Sequence, residues 1–142
     1  MGSLADLIMG TSDDVQAIVD SEYPLGMFAG ANIDGLNPLH VAELHSVLTD
    51  TNFSQIMDKY KPIAVGSKQG PWLIRFPREL LAAIAKIAPH DLASVAAQWA
   101  STDRLQGEAW SEQDVENYLG QLLHFSQTAT FEEKEVFLCV YS

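Results

Sequence analysis

For its first 58 residues the chain has neither lysine nor arginine, although it carries nine acids there. Phosphate contacts need those cations, so ordinary nucleic-acid binding is excluded over most of the surface. The same shortage argues against an anionic membrane. Cysteine is nearly absent too. Cys139 stands alone, cannot close an intramolecular disulfide, and gives no reason to expect an oxidising compartment. No run approaches the roughly 20 apolar residues of a membrane span. The start of the chain lacks the basic residues and apolar run of a signal peptide. Gly2 invites a myristoyl reading, but Asp6 stands where that pattern needs Ser or Thr. The expected location is the cytoplasm.

What remains is an ordinary globular composition. The chain has 142 residues, 47% hydrophobic and 19% charged, with net charge −11. That length supports one domain, residues 1–142, which buries roughly two thirds of its unfolded surface without disulfides or metal. Charge is laid out in blocks. Residues 59–104 hold seven bases and three acids, and residues 105–142 hold seven acids and one base.

Local patterns suggest an α+β order. Leu4 to Met9 reads as a strand. Thr11 and Ser12 before Asp13 and Asp14 suit a helix start, with Val15, Ile18 and Val19 as its stripe. Residues 24–37 contain Gly26, Gly30 and Gly35 and read as a loop. Asn37-Pro38 then opens a helix to about Leu48, and Phe53, Ile56, Met57 and Tyr60 continue with helical spacing. Residues 62–66 and 71–76 flank Ser67-Lys68-Gln69-Gly70 as a hairpin. Pro71 belongs at the start of its strand or on an edge. Helices follow after Pro77, after Pro89-His90-Asp91 and after Ser111. Val136 to Tyr141 is apolar on both alternating faces, as in a strand covered on both sides. The expected fold is a single α+β domain of about six helices on a small mixed or antiparallel sheet that includes the hairpin and the C-terminal strand.

Chemistry-bearing motifs are scarce. His40 and His45 are five residues apart, about 140° around a helix, and H-E-x-x-H is absent. His40 and Glu43 are too few to hold a metal. Asn32-Ile33-Asp34-Gly35 resembles a fragment of a calcium loop, but the alignment puts Gly30 and Val41 where carboxylates are needed. Neither a nucleophile elbow nor a phosphate loop occurs. Cys139 lies in an apolar strand, where a thiol is inert. Trp72, Trp99 and Trp110 read as core residues, Trp110 as a hydrophobic staple. No metal or cofactor is expected. Lys68, Arg75 and Arg78 suit an anion, but pairing with the N-terminal acids is the reading preferred for them.

Three stretches carry a resemblance: Gly70 to Leu81 (GPWLIRFPRELL), Ala97 to Asp103 (AQWASTD) with Trp110-Ser-Glu-Gln-Asp114, and Val136 to Tyr141 (VFLCVY). Together with Gly35 to Leu48 they resemble a group of small acidic uncharacterised bacterial proteins. In general type these are similar to immunity proteins of toxin systems, and no site residue comes across with that likeness. The charge layout and the absence of catalytic motifs lead to the expectation of a non-enzymatic acidic binding protein, an immunity-type inhibitor that blocks a basic toxin domain by association, as a monomer or homodimer. The candidate contact residues are Asp13, Asp14, Asp20, Glu22, Asp34 and Glu43. The alternative is a small-ligand binder or enzyme with a cleft near His40, His45, Arg75 and Trp72.

Overall fold

A computed structural model describes residues 4–66 and 70–141. The expected hairpin connector at Ser67-Lys68-Gln69 lies outside the described residues.

Five strands form one antiparallel sheet. They are β1 (Leu4–Gly10), β2 (Gly30–Asn32), β3 (Ala64–Val65), β4 (Trp72–Arg75) and β5 (Glu135–Tyr141), in the order β2-β1-β5-β4-β3. The C-terminal strand is central. It pairs with β1 from Leu4↔Tyr141 to Gly10↔Glu135 and with β4 from Trp72↔Val140 to Arg75↔Phe137. Both of its faces are buried, which explains its unbroken apolar sequence.

Strand alternation sends the two sets of side chains into different cores. Ala5, Leu7, Met9, Ile74, Val136 and Leu138 join the main cluster. Six helices cover that face: α2 (Pro38–Thr49), α3 (Phe53–Ile56), α4 (Arg78–Ala85), α5 (Leu92–Ala100), α6 (Asp103–Gly107) and α7 (Glu112–Glu132). Ile8, Leu73, Phe137 and Cys139 point the other way. They meet Ile18 and Val19 of α1 (Val15–Asp20), with Leu25 and Phe28 beside them.

Helix ends follow their sequence signals. The Asn37 side chain accepts from Leu39 and His40 N–H, and Pro38 occupies the first turn of α2. Ser111 accepts from the Asp114 N–H to start α7.

The expected fold class is the observed one, with seven α-helices and a sheet that is antiparallel throughout. Two details differ and a third is added. The loop at 24–37 contains β2, whose Gly30 is required because a side chain there would collide with the Leu7 carbonyl oxygen. The short helix α6 follows α5, with Leu105 fully buried. The last helix, for which the sequence marks a start but no end, runs to Glu132, its later turns buried through Ser126 and Ala129.

Candidate functional site

The six acids marked in the sequence are not one patch. Asp13, Asp14, Asp20 and Glu22 belong to α1 and its two flanks, on the thinly covered side of the sheet. Asp14 is structural: its carboxylate accepts from the Thr11 N–H at 2.8 Å and the Thr11 hydroxyl at 3.1 Å. Asp20 accepts from Gln16. Asp13 and Glu22 are exposed. Glu43 lies across the sheet on α2, 3.6 Å from Arg104. Asp34 follows β2 at the sheet's edge.

The bases do not neutralise the acids of α1. Arg75, expected to pair with N-terminal acids, lies with its Nε 2.9 Å from Glu135 and donates to the Ser12 hydroxyl. Lys59 binds Glu79, and Lys61 faces Asp58. Among the described residues, Asp13, Asp14, Asp20 and Glu22 have no Lys or Arg partner.

Asp34 does contribute to a built site. A cleft of 390 Å³ opens at the end of the sheet that α1 leaves uncovered, lined by Leu4, Asp6, Tyr23, Leu25, Asn32, Asp34 and Tyr141. Register assembles it. Asn32 sits opposite Asp6 on β2, and Cys139 sits opposite Asp6 on β5. Tyr141 is therefore the diagonal neighbour on the same face, within reach of Asp6. Its hydroxyl donates to Asp6 Oδ2 at 2.9 Å. The Asn32 amide donates to Asp6 Oδ1 at 3.2 Å and to Asp34 Oδ1 at 3.1 Å, and so holds the two carboxylates together. Asp34 also accepts from the Ala5 N–H at 2.7 Å, and its carbonyl accepts from the Tyr118 hydroxyl. Asp6 is only 7% exposed. Burial pushes the Tyr141 hydroxyl far above its ordinary pKa, and its contacts with Cys139 and Asp6 push the same way. It therefore stays a donor. Burial likewise raises the Cys139 thiol, which suits an inert side chain. Tyr23 at the mouth is 67% exposed, and Met27 nearby in sequence is 64% exposed.

Such a cleft offers two carboxylates and aromatic walls. Its chemistry suits an ammonium or guanidinium group, drawn by charge and by ring faces. Asp6, Asn32, Tyr23 and Tyr141 are functional candidates that sequence reasoning passes over. The available signal is Asp6 itself, a carboxylate inside an apolar strand.

The four residues of the alternative reading are not brought to one cleft. Arg75 lies 5.7 Å from the Phe137 ring centroid, on the α1 side of the sheet. Trp72 packs against the main core on the other side. His40 and His45 lie on that side too, each engaged separately. His40 Nδ1 accepts from the Asn37 N–H, which leaves Nε2–H to donate to Glu108 at 2.8 Å. The Trp110 ring meets the imidazole edge-on and donates to the same carboxylate. His45 Nδ1 lies 2.8 Å from the Tyr60 hydroxyl, and its Nε2 is 3.8 Å from Glu79. Burial lowers the pKa of both imidazoles, against the pull of Glu108 and Glu79. Both stay neutral and hold helices in place. Among the described residues no group of three or more His, Cys, Asp or Glu could hold a metal ion. No single described helix is long and apolar enough to cross a membrane.

Fold and site thus define a small α+β protein with a helix layer on one face of an open antiparallel sheet and an acidic cleft at the edge of the other. No family model and no curated protein matches the chain. One similar solved structure is the crystal structure of YfbM, a protein of unknown function from Escherichia coli. The match has a TM-score of 0.50 at 12% identity and covers 96% of this chain and 99% of that one. At that identity the likeness shows the fold alone.

Proposed function

We propose that this chain is a non-enzymatic acidic binding protein whose partner is a basic protein, in the manner of an immunity protein that blocks a toxin. One observation carries this reading. The acids around α1 have no Lys or Arg partner among the described residues, and they share a face with the cleft at Asp6 and Asp34 and the exposed Tyr23. Unpaired acids speed encounter with a cationic surface and repel wrong partners. Exposed tyrosine supplies the apolar contact that such interfaces concentrate at their centre. A Lys or Arg side chain of the partner meets Asp34, the exposed carboxylate of the cleft. Catalysis is the weaker reading, because His40 is held at both ring nitrogens and His45 is buried against Tyr60 and Glu79.

The test is co-expression with the product of the adjacent gene and co-purification at low and moderate salt. The reading expects a complex that forms more slowly as salt rises. It also expects the triple variant Asp13→Asn, Asp20→Asn, Glu22→Gln to cut the association rate about tenfold. A neighbouring gene that encodes no toxin, or a product that fails to co-purify at either salt, overturns it.

A further inference from the structure

Cations are rare in this chain, and where the unpaired ones sit is informative. Of the Lys and Arg residues described, Lys59, Lys61, Arg75, Arg104 and Lys134 each face a carboxylate. Arg78 and Lys86 have no ion-pair partner among the described residues. They stand at the two ends of α4, as its first residue and its C-cap. Both line the same pocket.

That pocket has a volume of 590 Å³ and lies between α4, the end of α7 and the start of β5. Its apolar lining is Phe76, Leu81, Ala85 and Ala129 with the exposed Ala82 at the edge, and Thr130 adds one hydroxyl. Lys134 adds a third cation at the rim. Two carboxylates are there as well: Glu135 faces Arg75, and Glu133 is exposed at the end of α7. A space of this size accepts a drug-sized molecule. The apolar lining rewards apolar atoms and penalises unpaired hydroxyls, so a sugar phosphate fits poorly. In a chain of net charge −11, an apolar hollow edged by the two unpaired cations favours an anion.

We infer that this pocket binds a small amphipathic carboxylate of the medium-chain fatty acid class. Its apolar body lies along Leu81, Ala82, Ala85 and Ala129. Arg78 receives the carboxylate, because a guanidinium fork matches two carboxylate oxygens. As the first residue of α4, Arg78 also places that charge near the positive end of the helix. Lys86, about 12 Å along the helix, raises the local potential without touching the carboxylate. The site is separate from the acidic cleft, so either can fail without the other.

The test is a titration of the isotopically labelled full chain with sodium decanoate, read by amide NMR. Decanol and decyltrimethylammonium are the neutral and cationic controls. Saturable shifts at Leu81, Ala82, Ala85 and Ala129 are expected with decanoate, weaker ones with decanol, and none with the cation. Arg78→Gln should weaken decanoate about tenfold, the size of one charge-assisted hydrogen bond. Lys86→Gln should weaken it about threefold as an exposed charge, and both should leave decanol unchanged. These two positions are exposed, so their variants keep the fold. Ala85→Trp should fill the pocket and abolish decanoate and decanol binding together. No localised shifts, decanol binding as tightly as decanoate, or an Arg78→Gln variant that binds decanoate normally would each overturn the inference.

Discussion

One face of the sheet carries Leu7, Ile74 and Leu138 under six helices; the other carries Asp6, Ile8, Phe137 and Cys139 under α1 and the 21–28 segment. The same central strand feeds both. On the crowded face, polar side chains serve as braces: His40 to Glu108, His45 to Tyr60, and the Trp99 indole to the His40 carbonyl. On the thin face, polar side chains gather where the cover ends, at Asp6, Asn32 and Tyr141. A carboxylate tolerates near-complete burial there because the Asn32 amide and the Tyr141 hydroxyl donate to it. Polar groups brace both faces, but on the thin face they do so beside an open cleft.

Core truncation separates the two faces most sharply. Leu138→Ala opens a cavity under the helix layer that neighbouring elements cannot close, and it should cost about 4 kcal/mol by urea denaturation. Ile18→Ala removes a comparable side chain from α1, a six-residue helix that can settle inward, and should cost about 2 kcal/mol. Equal losses would mean that the faces are equally rigid.

Acid should act on the crowded face first. The folded protein keeps His40 and His45 neutral, whereas the unfolded chain protonates them near pH 6.5. The unfolded state therefore binds the extra protons as pH falls through that value. Stability should be constant above about pH 7 and decline below about pH 6.5. Denaturation midpoints from pH 8 to pH 5.5 measure the slope. His45→Gln should flatten it.

Much of this architecture is legible in the residues themselves. Val136 to Tyr141 predicts a strand buried on both faces, and Asn37-Pro38 marks the start of α2. Other parts are not, for physical reasons. β2 is three residues long and is a strand only because Asp6, Leu7 and Ile8 pair with it. α6 offers one apolar residue, Leu105, too few to show a period. The later turns of α7 face the core with Ser126 and Ala129 in place of large apolar residues. The acidic cleft depends on Asp6, Asn32 and Tyr141, which lie far apart in sequence and meet only through strand register. Of the six acids chosen from charge alone, Asp34 lines the cleft, Asp14 caps a turn, and Glu43 faces Arg104 on the opposite side.

Smaller effects refine the contrast. Asn37→Ala removes the acceptor for two N–H groups at the start of α2 and should cost about 1 kcal/mol, measured by urea denaturation. Neutralising Asp13, Asp20 and Glu22 should change stability by less than about 0.5 kcal/mol, as for exposed residues outside the packing. A large loss from that triple variant would make those acids structural, and so not free for a partner.

Two acidic blocks compete for the role of docking surface, residues 1–58 and residues 105–142, and a cationic probe tells them apart. Titrating the isotopically labelled full chain with an eight-residue oligolysine peptide, read by amide NMR at low salt, tests the central claim. Shifts should concentrate at Asp6, Tyr23, Asn32, Asp34 and along α1, and fade as salt is added. Shifts concentrated at Glu108, Glu112, Glu116 and Glu132, or spread evenly over every exposed acid, would contradict that claim.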